Sequence, residues 1–180
     1  MKFGPRAVFT VTMITALALG LAAPITTVQA ARVTVRINGG PLGLGLSGPA
    51  ELAEVDVTGA DQRTGGTLGL IDIRDARGTG AGWNLVAEAT DFINRENDSY
   101  LIDGAGFYAG APAPVTTVAG GAAPLSFSGS LGSPVKLLSA AAGGGMGHYQ
   151  TQPPVTLDIP ADVFAGTYDS TLTLTLSSGP

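Results

Sequence analysis

Side chains that could carry out chemistry are few in this sequence. His148 is the only histidine, and the chain has no cysteine, which excludes thiol catalysis and cysteine-ligated metal sites. A Ser-His-Asp hydrolase also needs a nucleophile elbow, and no Gly-x-Ser-x-Gly sequence is present. The glutamates that could pair for glycoside cleavage follow no supporting pattern; they are Glu51, Glu54, Glu88 and Glu96. We therefore expect neither catalysis nor a cofactor.

An acidic stretch, DFINRENDSYLIDG, raises the question of a calcium site. Its oxygen-bearing side chains lie close together in sequence, and they are Asp91, Asn94, Glu96, Asp98 and Asp103. Their spacing departs from that of the EF-hand loop. The sequence favours an acidic turn, with calcium binding left open.

Trp83 is the only tryptophan, and two roles compete for it. An indole face can stack on the C–H face of a sugar at a wet binding surface. Alternatively, the ring anchors the core of a sheet. Trp83, Leu85 and Ala87 share one side of an alternating run, and this periodicity favours the core role.

Before any fold can be assigned, residues 1–30 must be set aside as a predicted export signal. Lys2 and Arg6 give a positive start, an apolar run follows, and Val28-Gln29-Ala30 offers a small-residue cleavage site. We expect secretion of residues 31–180 as one domain. No second apolar stretch long enough to span a membrane follows. Because no Leu-Pro-x-Thr-Gly sorting sequence is present, we expect any attachment to a cell to be noncovalent.

The composition of the expected secreted domain limits its partners. Two of the nine basic residues lie in the leader, so seven remain against 14 acidic residues, giving a formal charge of −7. An acidic domain without a basic patch is a poor partner for nucleic acid. Without disulfides, it must fold by hydrophobic burial alone, which its length permits.

Alternation by two, bounded by glycine and proline, predicts short strands throughout the domain. We expect an all-β fold with little helix, an antiparallel β-sandwich of Greek-key or immunoglobulin-like type. The stretch 138–154 is glycine-rich and is predicted to be an exposed loop. The predicted strands cover residues 33–37, 52–58, 68–74, 83–89, 100–103, 115–118, 125–128, 135–138, 155–159 and 168–176.

Two motifs near opposite ends of this domain carry a family resemblance. The proximal one is Trp83-Asn84-Leu85, which follows a strand and a glycine turn and precedes Asp91-Phe92. The distal pattern is Tyr, three residues, an aliphatic residue, Thr, Trp, any residue, Leu, three residues and Pro. This sequence matches it at Tyr168, Leu172, Thr173, Leu176 and Pro180, but has Leu174 in place of the tryptophan.

With these motifs, the sequence resembles the WxL domain, the cell-wall-binding module of secreted surface proteins in Gram-positive bacteria. The resemblance implies noncovalent display on the cell wall through peptidoglycan or an associated polymer. It also implies association with other WxL-type proteins and with a membrane-anchored surface protein, and a role in adhesion or surface display. Trp83 and Leu85 would form the proximal wall-binding motif, and Leu174 puts the distal half of a tryptophan-dependent surface in question.

A structural subunit resembling a pilin or coat protein is the chief alternative. The row formed by Thr171, Thr173 and Thr175 lies on one side of the last predicted strand, opposite its leucines. Threonine suits the solvated side of a strand, but such a strand at a sheet edge can also complete a neighbour's sheet.

Overall fold

The structure, a computed structural model, describes residues 32–110 and 115–179. The predicted leader, Ala31 and Pro180 lie outside the described residues. Within them, regular structure is almost entirely β, with one short 3₁₀ turn at Gly104–Gly106. The strands are β1 (Leu42–Ser47), β2 (Glu51–Leu52), β3 (Gln62–Thr67), β4 (Leu70–Asp75), β5 (Trp83–Ala89), β6 (Phe92–Asn94), β7 (Leu101–Ile102), β8 (Phe107–Ala109), β9 (Val115–Gly120), β10 (Leu125–Ser126), β11 (Gly129–Ser130), β12 (Val135–Ala140), β13 (Gly147–Thr151), β14 (Pro154–Ile159), β15 (Tyr168–Asp169) and β16 (Leu172–Ser178).

The strands pair antiparallel into sheets that enclose one hydrophobic core. One four-stranded sheet has the order β1-β4-β13-β9, and a second has the order β10-β12-β5-β16. A five-stranded sheet has the order β11-β8-β14-β3-β2, and β15, β6 and β7 form a smaller one. Trp83 of β5 contacts Tyr149 of β13, so the two four-stranded sheets face each other. The predicted all-β antiparallel sandwich is confirmed.

Alternation along each strand selects the side chains that fill this core. In β4, Ile71 and Ile73 are buried while Arg74 is exposed, and in β14 Val155 and Leu157 are buried. The core also contains Leu68, Trp83, Leu85, Ala87, Ala89, Phe92, Ile102, Phe107, Ala109, Leu131, Leu137, Leu138, Ala140 and Tyr149.

The predicted strand over residues 33–37 was wrong. Residues 32–41 carry no strand, and those before Gly39 belong to a separate unit from the compact body of the chain. The pairing along the outer edge of β4 begins at Gly40, whose N–H donates to the Ala76 carbonyl at 2.7 Å. The Ala76 N–H donates to the Pro41 carbonyl at 3.0 Å, and β1 continues this pairing. The glycines of β1 concealed it in the sequence, since glycine is depleted in strands.

The predicted exposed loop over residues 138–154 was also wrong, because it contains the inner strand β13. β13 lies between β4 and β9, and its Tyr149 is buried in the core. Only residues 141–146 connect β12 to β13. The alternation of His148 and Gln150 with Tyr149 and Thr151 is that of a strand, but the glycines before it predicted a loop more strongly.

Other strands differ in extent. β3 forms where glycines predicted a turn, and the strand predicted over 52–58 is reduced to β2. The last predicted strand is divided into β15 and β16. Strands β5 and β14 match their predicted ranges closely. Across the described ranges, no helix is long and apolar enough to cross a membrane.

Candidate functional site

The two motifs, far apart in sequence, lie on neighbouring strands. β5 carries the proximal motif and pairs antiparallel with β16, which carries most of the distal motif. In this register Trp83 lies opposite Ser178, and Leu85 lies opposite Leu176. Directly paired residues share one face of a sheet. The apolar positions of both motifs therefore project together toward the core.

Trp83 is a core residue with 0% exposure. Its Nε1–H donates a hydrogen bond to the carbonyl of Gly145 at 2.9 Å. Its ring lies 6.0 Å from that of Tyr149, tilted by 53°, and the Tyr149 hydroxyl donates to the Met146 carbonyl at 3.0 Å. This arrangement supports the core role and leaves no indole face open to a sugar.

Close glycine contacts surround the indole. A Cβ on Gly145 would lie 2.7 Å from Trp83 Nε1 and 2.3 Å from the Cβ of Ala140, and Gly145 has a φ of +72°. Gly82 has the same φ and would bring a Cβ to 2.4 Å from the Ala140 carbonyl oxygen. Both positions require glycine, because residues with a side chain rarely adopt a positive φ and neither position has room for a Cβ atom.

The distal leucines line the inner face of β16. Leu172, Leu174 and Leu176 are half-buried and pack against the core. Leu174, which stands where the distal pattern has tryptophan, lies opposite Ala87. Thr173 is on the outer face of the sheet, exposed and opposite Glu88. Pro180, the last residue of the motif, is outside the described residues.

Tyr168 lies apart from the other motif residues. It belongs to β15, where it pairs with Asn94 of β6. Its hydroxyl donates to the Phe164 carbonyl at 2.8 Å, which fixes the turn before β15. Tyr168 lines a cavity of about 200 Å³ and two larger ones, of about 590 Å³ and about 510 Å³, and Leu52 and Phe92 line both of the larger ones.

The largest of these cavities is a cleft with an aromatic wall, and we name it the Phe164 cleft. Phe92, Phe164 and Tyr168 form this wall. Phe164 is 55% exposed, and its ring stacks on Tyr100, which lies outside the lining of the cleft, with ring centroids 3.8 Å apart and planes within 6°. Glu54 and Asp56 add carboxylates to the lining. The size of the cleft is in the range of small-ligand sites. Aromatic faces with nearby acceptors can hold a sugar ring or an amine-bearing peptide.

Sequence reasoning missed this cleft. Its lining residues Leu52, Phe92 and Phe164 are far apart in sequence, and only the fold brings them together. The single available signal was Tyr168, whose place in the distal motif marked the region without showing the cavity.

His148 lies in a hydrogen-bonded group on the outer face of β4 and β13. Its Nε2 is 2.6 Å from Oδ2 of Asp72, and Gln150 donates to the same oxygen at 2.8 Å. Arg74 donates to the other oxygen at 3.0 Å. Hydrogen bonds from Gln150 and His148, and then from Arg74, lower the pKa of Asp72 to about 2 although burial opposes this. The group stabilises a carboxylate between two strands.

A second carboxylate, Asp75, is buried beside the β4–β5 turn. Arg77 donates to both of its oxygens, at 2.9 and 2.8 Å, and also to the carbonyl of Gly82. The Arg77 hydrogen bond lowers the pKa of Asp75 in spite of burial. Arg77 also donates to Ser178, so this pair ties the turn before Trp83 to the end of β16.

The acidic stretch forms local turns. Asp91 accepts from the Gly104 N–H, Asp103 accepts from the Ala105 N–H, and Asn94 accepts from the Glu96 and Asn97 N–H groups. No cluster of three metal-ligating side chains occurs among the residues that the structure describes.

Comparison with known proteins gives one family. The sequence matches the family described as "WxL domain surface cell wall-binding" over residues 49–180. No curated protein matches the sequence. The matched range begins after β1 and includes both motifs and the Phe164 cleft.

Proposed function

The chain belongs to the WxL domain family of surface cell wall-binding proteins, and on this premise we propose that it is secreted and attaches noncovalently to peptidoglycan. The observation that carries this proposal is the family match over residues 49–180. In this proposal the domain acts by binding, for display or adhesion at the surface, without catalysing a reaction. The predicted leader at residues 1–30 agrees with export.

The Phe164 cleft is the proposed contact for the wall polymer. Because Trp83 and Leu85 are buried, we assign the proximal motif the role of holding β5 in the core. The exposed ring of Phe164 offers a hydrophobic face for a sugar ring, and Glu54 and Asp56 offer acceptors for hydroxyl, amide and ammonium groups. Peptidoglycan supplies all of these donors.

The test is co-sedimentation of residues 31–180 with purified peptidoglycan sacculi. We expect the wild type to sediment with the sacculi and Phe164→Ala to bind about fivefold or more weakly, as for loss of an aromatic contact. Phe127→Ala is the matched control, since Phe127 is also an exposed phenylalanine and does not line the cleft. Circular dichroism establishes that each variant is folded.

The outcomes separate two claims. If the folded wild type does not bind sacculi, the wall-attachment proposal is wrong. If the wild type binds and Phe164→Ala binds equally well, attachment stands and the cleft is not the contact.

Companion proteins belong to the same proposal. We propose that the domain also associates with other WxL-type proteins or with a membrane-anchored surface protein, as the resemblance implies. Pull-down from cell envelopes of the source bacterium with tagged residues 31–180, followed by mass spectrometry, tests this; recovery of no surface protein would contradict it.

A structural subunit assembling by strand addition is the second candidate. The observation that favours it is the position of β16, which is at the edge of its sheet and presents half-buried leucines there. Sheet edges of this kind accept added strands. Large, concentration-dependent assemblies that ignore peptidoglycan would favour this candidate over wall attachment.

A further inference from the structure

On one side of the sandwich, apolar side chains of two edge strands are left exposed to solvent. β1 and β16 are the edge strands of the two facing sheets, and they lie close to each other. Leu44 and Leu46 pair with the buried Ile73 and Ile71, so they are on the inner face of β1. They are nevertheless 37% and 50% exposed.

The leucines of β16 are also on an inner face, since they pair with buried residues of β5, and they are only half-buried. The inner faces of the two edge strands therefore carry an apolar row of six leucines, and they are Leu42, Leu44, Leu46, Leu172, Leu174 and Leu176. We name this row the leucine slit. Apolar side chains that point inward and remain exposed indicate a surface that lacks its cover.

The backbone of β16 is also prepared for another strand. The Thr90 N–H donates to the Thr171 carbonyl, and the Gly179 N–H donates to the Gly82 carbonyl, both at 3.1 Å. In an antiparallel ladder, hydrogen-bonded pairs alternate. The odd-numbered residues of β16 therefore face β5, and the backbone groups of Leu172, Leu174 and Leu176 face outward. Among described residues, β16 pairs with β5 alone.

Position 174 is at the centre of the slit. The family's distal pattern has tryptophan there, and this chain has leucine. The opposite residue, Ala87, is also small. The smaller side chain leaves more of the slit open.

The same chain contains a segment suited to cover it. In residues 32–38 the apolar Val33, Val35 and Ile37 alternate with polar residues, and all three are β-branched, which favours strands. The segment forms no strand in this chain, and these three side chains are exposed. Its length of seven residues equals that of β16.

We propose that residues 32–38 of one copy add antiparallel to β16 of a second copy, with Val35 opposite Leu174. Val33 and Ile37 then lie opposite Leu176 and Leu172, so the three apolar side chains extend the inner face and close the leucine slit. The proposal names the partner for the subunit candidate described above and is independent of peptidoglycan binding.

Charge supports this register. On the outer face it places Arg36 opposite Thr173, which itself lies opposite the exposed Glu88. Arg36 and Glu88 would then occupy one row across the sheet, within reach of each other over the short threonine. Addition of the segment to the edge of β1 is less favourable, because the outer face beside β1 carries Arg74, which has the same charge as Arg36.

Disulfide trapping between two singly substituted proteins tests the register. The chain has no native cysteine, so Thr34→Cys and Thr175→Cys each introduce the only thiol. The proposed pairing makes them a non-hydrogen-bonded pair with Cα atoms about 4.5 Å apart, which a disulfide can bridge. We expect a covalent heterodimer of residues 31–180 when the two proteins are mixed and oxidised.

The matched control replaces Thr175→Cys with Thr171→Cys. Thr171 directly precedes β16, and this position is four residues from Thr175, about 13 Å along the chain direction of the strand. We expect at least tenfold less heterodimer, roughly the effect of separation beyond bonding reach. Equal yields from both mixtures, or none from either, would overturn the proposed register.

Sedimentation velocity over rising protein concentration tests the contact without thiols. We expect Val35→Asp to lower the assembled fraction by about tenfold or more, because a carboxylate would enter the slit. Thr34→Asp adds the same charge on the outer face and should lower it far less. Because residues 32–38 form no strand in the chain, neither substitution disrupts the folded body.

A wild type that stays monomeric at all concentrations, or equal effects of the two substitutions, would overturn the proposal. Sacculi binding of Val35→Asp is expected to equal that of the wild type. The failure of assembly and the failure of wall attachment are therefore distinguishable.

Discussion

At the scale of single residues, the structural role of Trp83 follows from the groups that surround its indole. A buried indole N–H needs an acceptor, and the Gly145 carbonyl supplies one at 2.9 Å. The residue that names the proximal motif thus holds the connection between β12 and β13 against β5. Its contribution to function acts through the shape of the sandwich.

Trp83→Phe tests this role. The phenyl ring is smaller and has no N–H, so it leaves a cavity and an unpaired carbonyl. We expect the free energy of unfolding to fall by about 2–4 kcal/mol, measured by urea titration followed by circular dichroism. Leu125→Ala, at an exposed position, should cost less than about 0.5 kcal/mol. Equal losses from both substitutions would contradict a core role for the indole.

Asp72 gives a prediction of pH dependence. Its pKa lies at about 2, below the usual value of 3.8, because Gln150, His148 and Arg74 hydrogen-bond the ionised form. A lowered carboxyl pKa stabilises the fold above the unfolded value, and this contribution is lost as the pH falls from about 4 to about 2. The contribution is on the order of 2 kcal/mol.

Asp72→Asn removes the titrating group. We expect the variant to show a flatter dependence of unfolding free energy on pH than the wild type between about pH 4 and 2. Glu88→Gln removes an exposed carboxylate instead and controls for the change in net charge. If the unfolding free energies of the wild type and Asp72→Asn fall in parallel below about pH 4, Asp72 is not the group responsible for the loss of stability in acid.

At the scale of elements, β5 organises the domain. It lies between β12 and β16, and its inner face carries Trp83, Leu85, Ala87 and Ala89 toward the core. The large residues fall at its start and the alanines at its end. The side chain of Leu174 lies beside the small Ala87, at the open edge of the sheet.

Leu174→Trp is therefore expected to be accommodated, with the unfolding free energy within about 1 kcal/mol of the wild type. The larger side chain should also fill the leucine slit and lower the assembled fraction by about tenfold. Urea titration and sedimentation velocity measure the two effects. Thr171→Trp places the same side chain on the outer face and should leave assembly unchanged; a folded Leu174→Trp that assembles like the wild type would argue against the slit.

For the whole molecule, net charge governs the approach to the wall. Residues 31–180 carry a formal charge of −7. Attraction to an anionic polymer would weaken with salt, whereas contacts made by an acidic domain through stacking and hydrogen bonds would not. The Phe164 cleft, with Glu54 and Asp56 in its lining, has this second character.

We therefore expect binding to sacculi at pH 7 to stay constant or rise as NaCl increases from about 0.02 M to about 0.5 M. The measurement is the bound fraction in co-sedimentation at each salt concentration. A steep loss of binding with salt would contradict this prediction and would show that attraction between opposite charges dominates the contact.

More of the fold than of the candidate site could be predicted from the sequence. Strands β5 and β14 were predicted closely because their alternation is uninterrupted. β1, β3 and β13 were missed because the glycines in or before them predicted turns and loops. Residues 33–37 were predicted as a strand although they form none in this chain. Alternation shows that a segment can form a strand, but a strand also needs a neighbour with an unpaired edge.

The sequence by itself determined the all-β class, the acidic charge, the absence of thiol chemistry and the two motifs that carry the family resemblance. These follow from composition and local spacing, which tertiary structure does not change. Only the tertiary structure decided that Trp83 is enclosed, that Leu174 lies at an open edge and that Tyr100 stacks on Phe164. Each of these depends on which distant strands become neighbours, and a period of two specifies the face of a strand without specifying its partner.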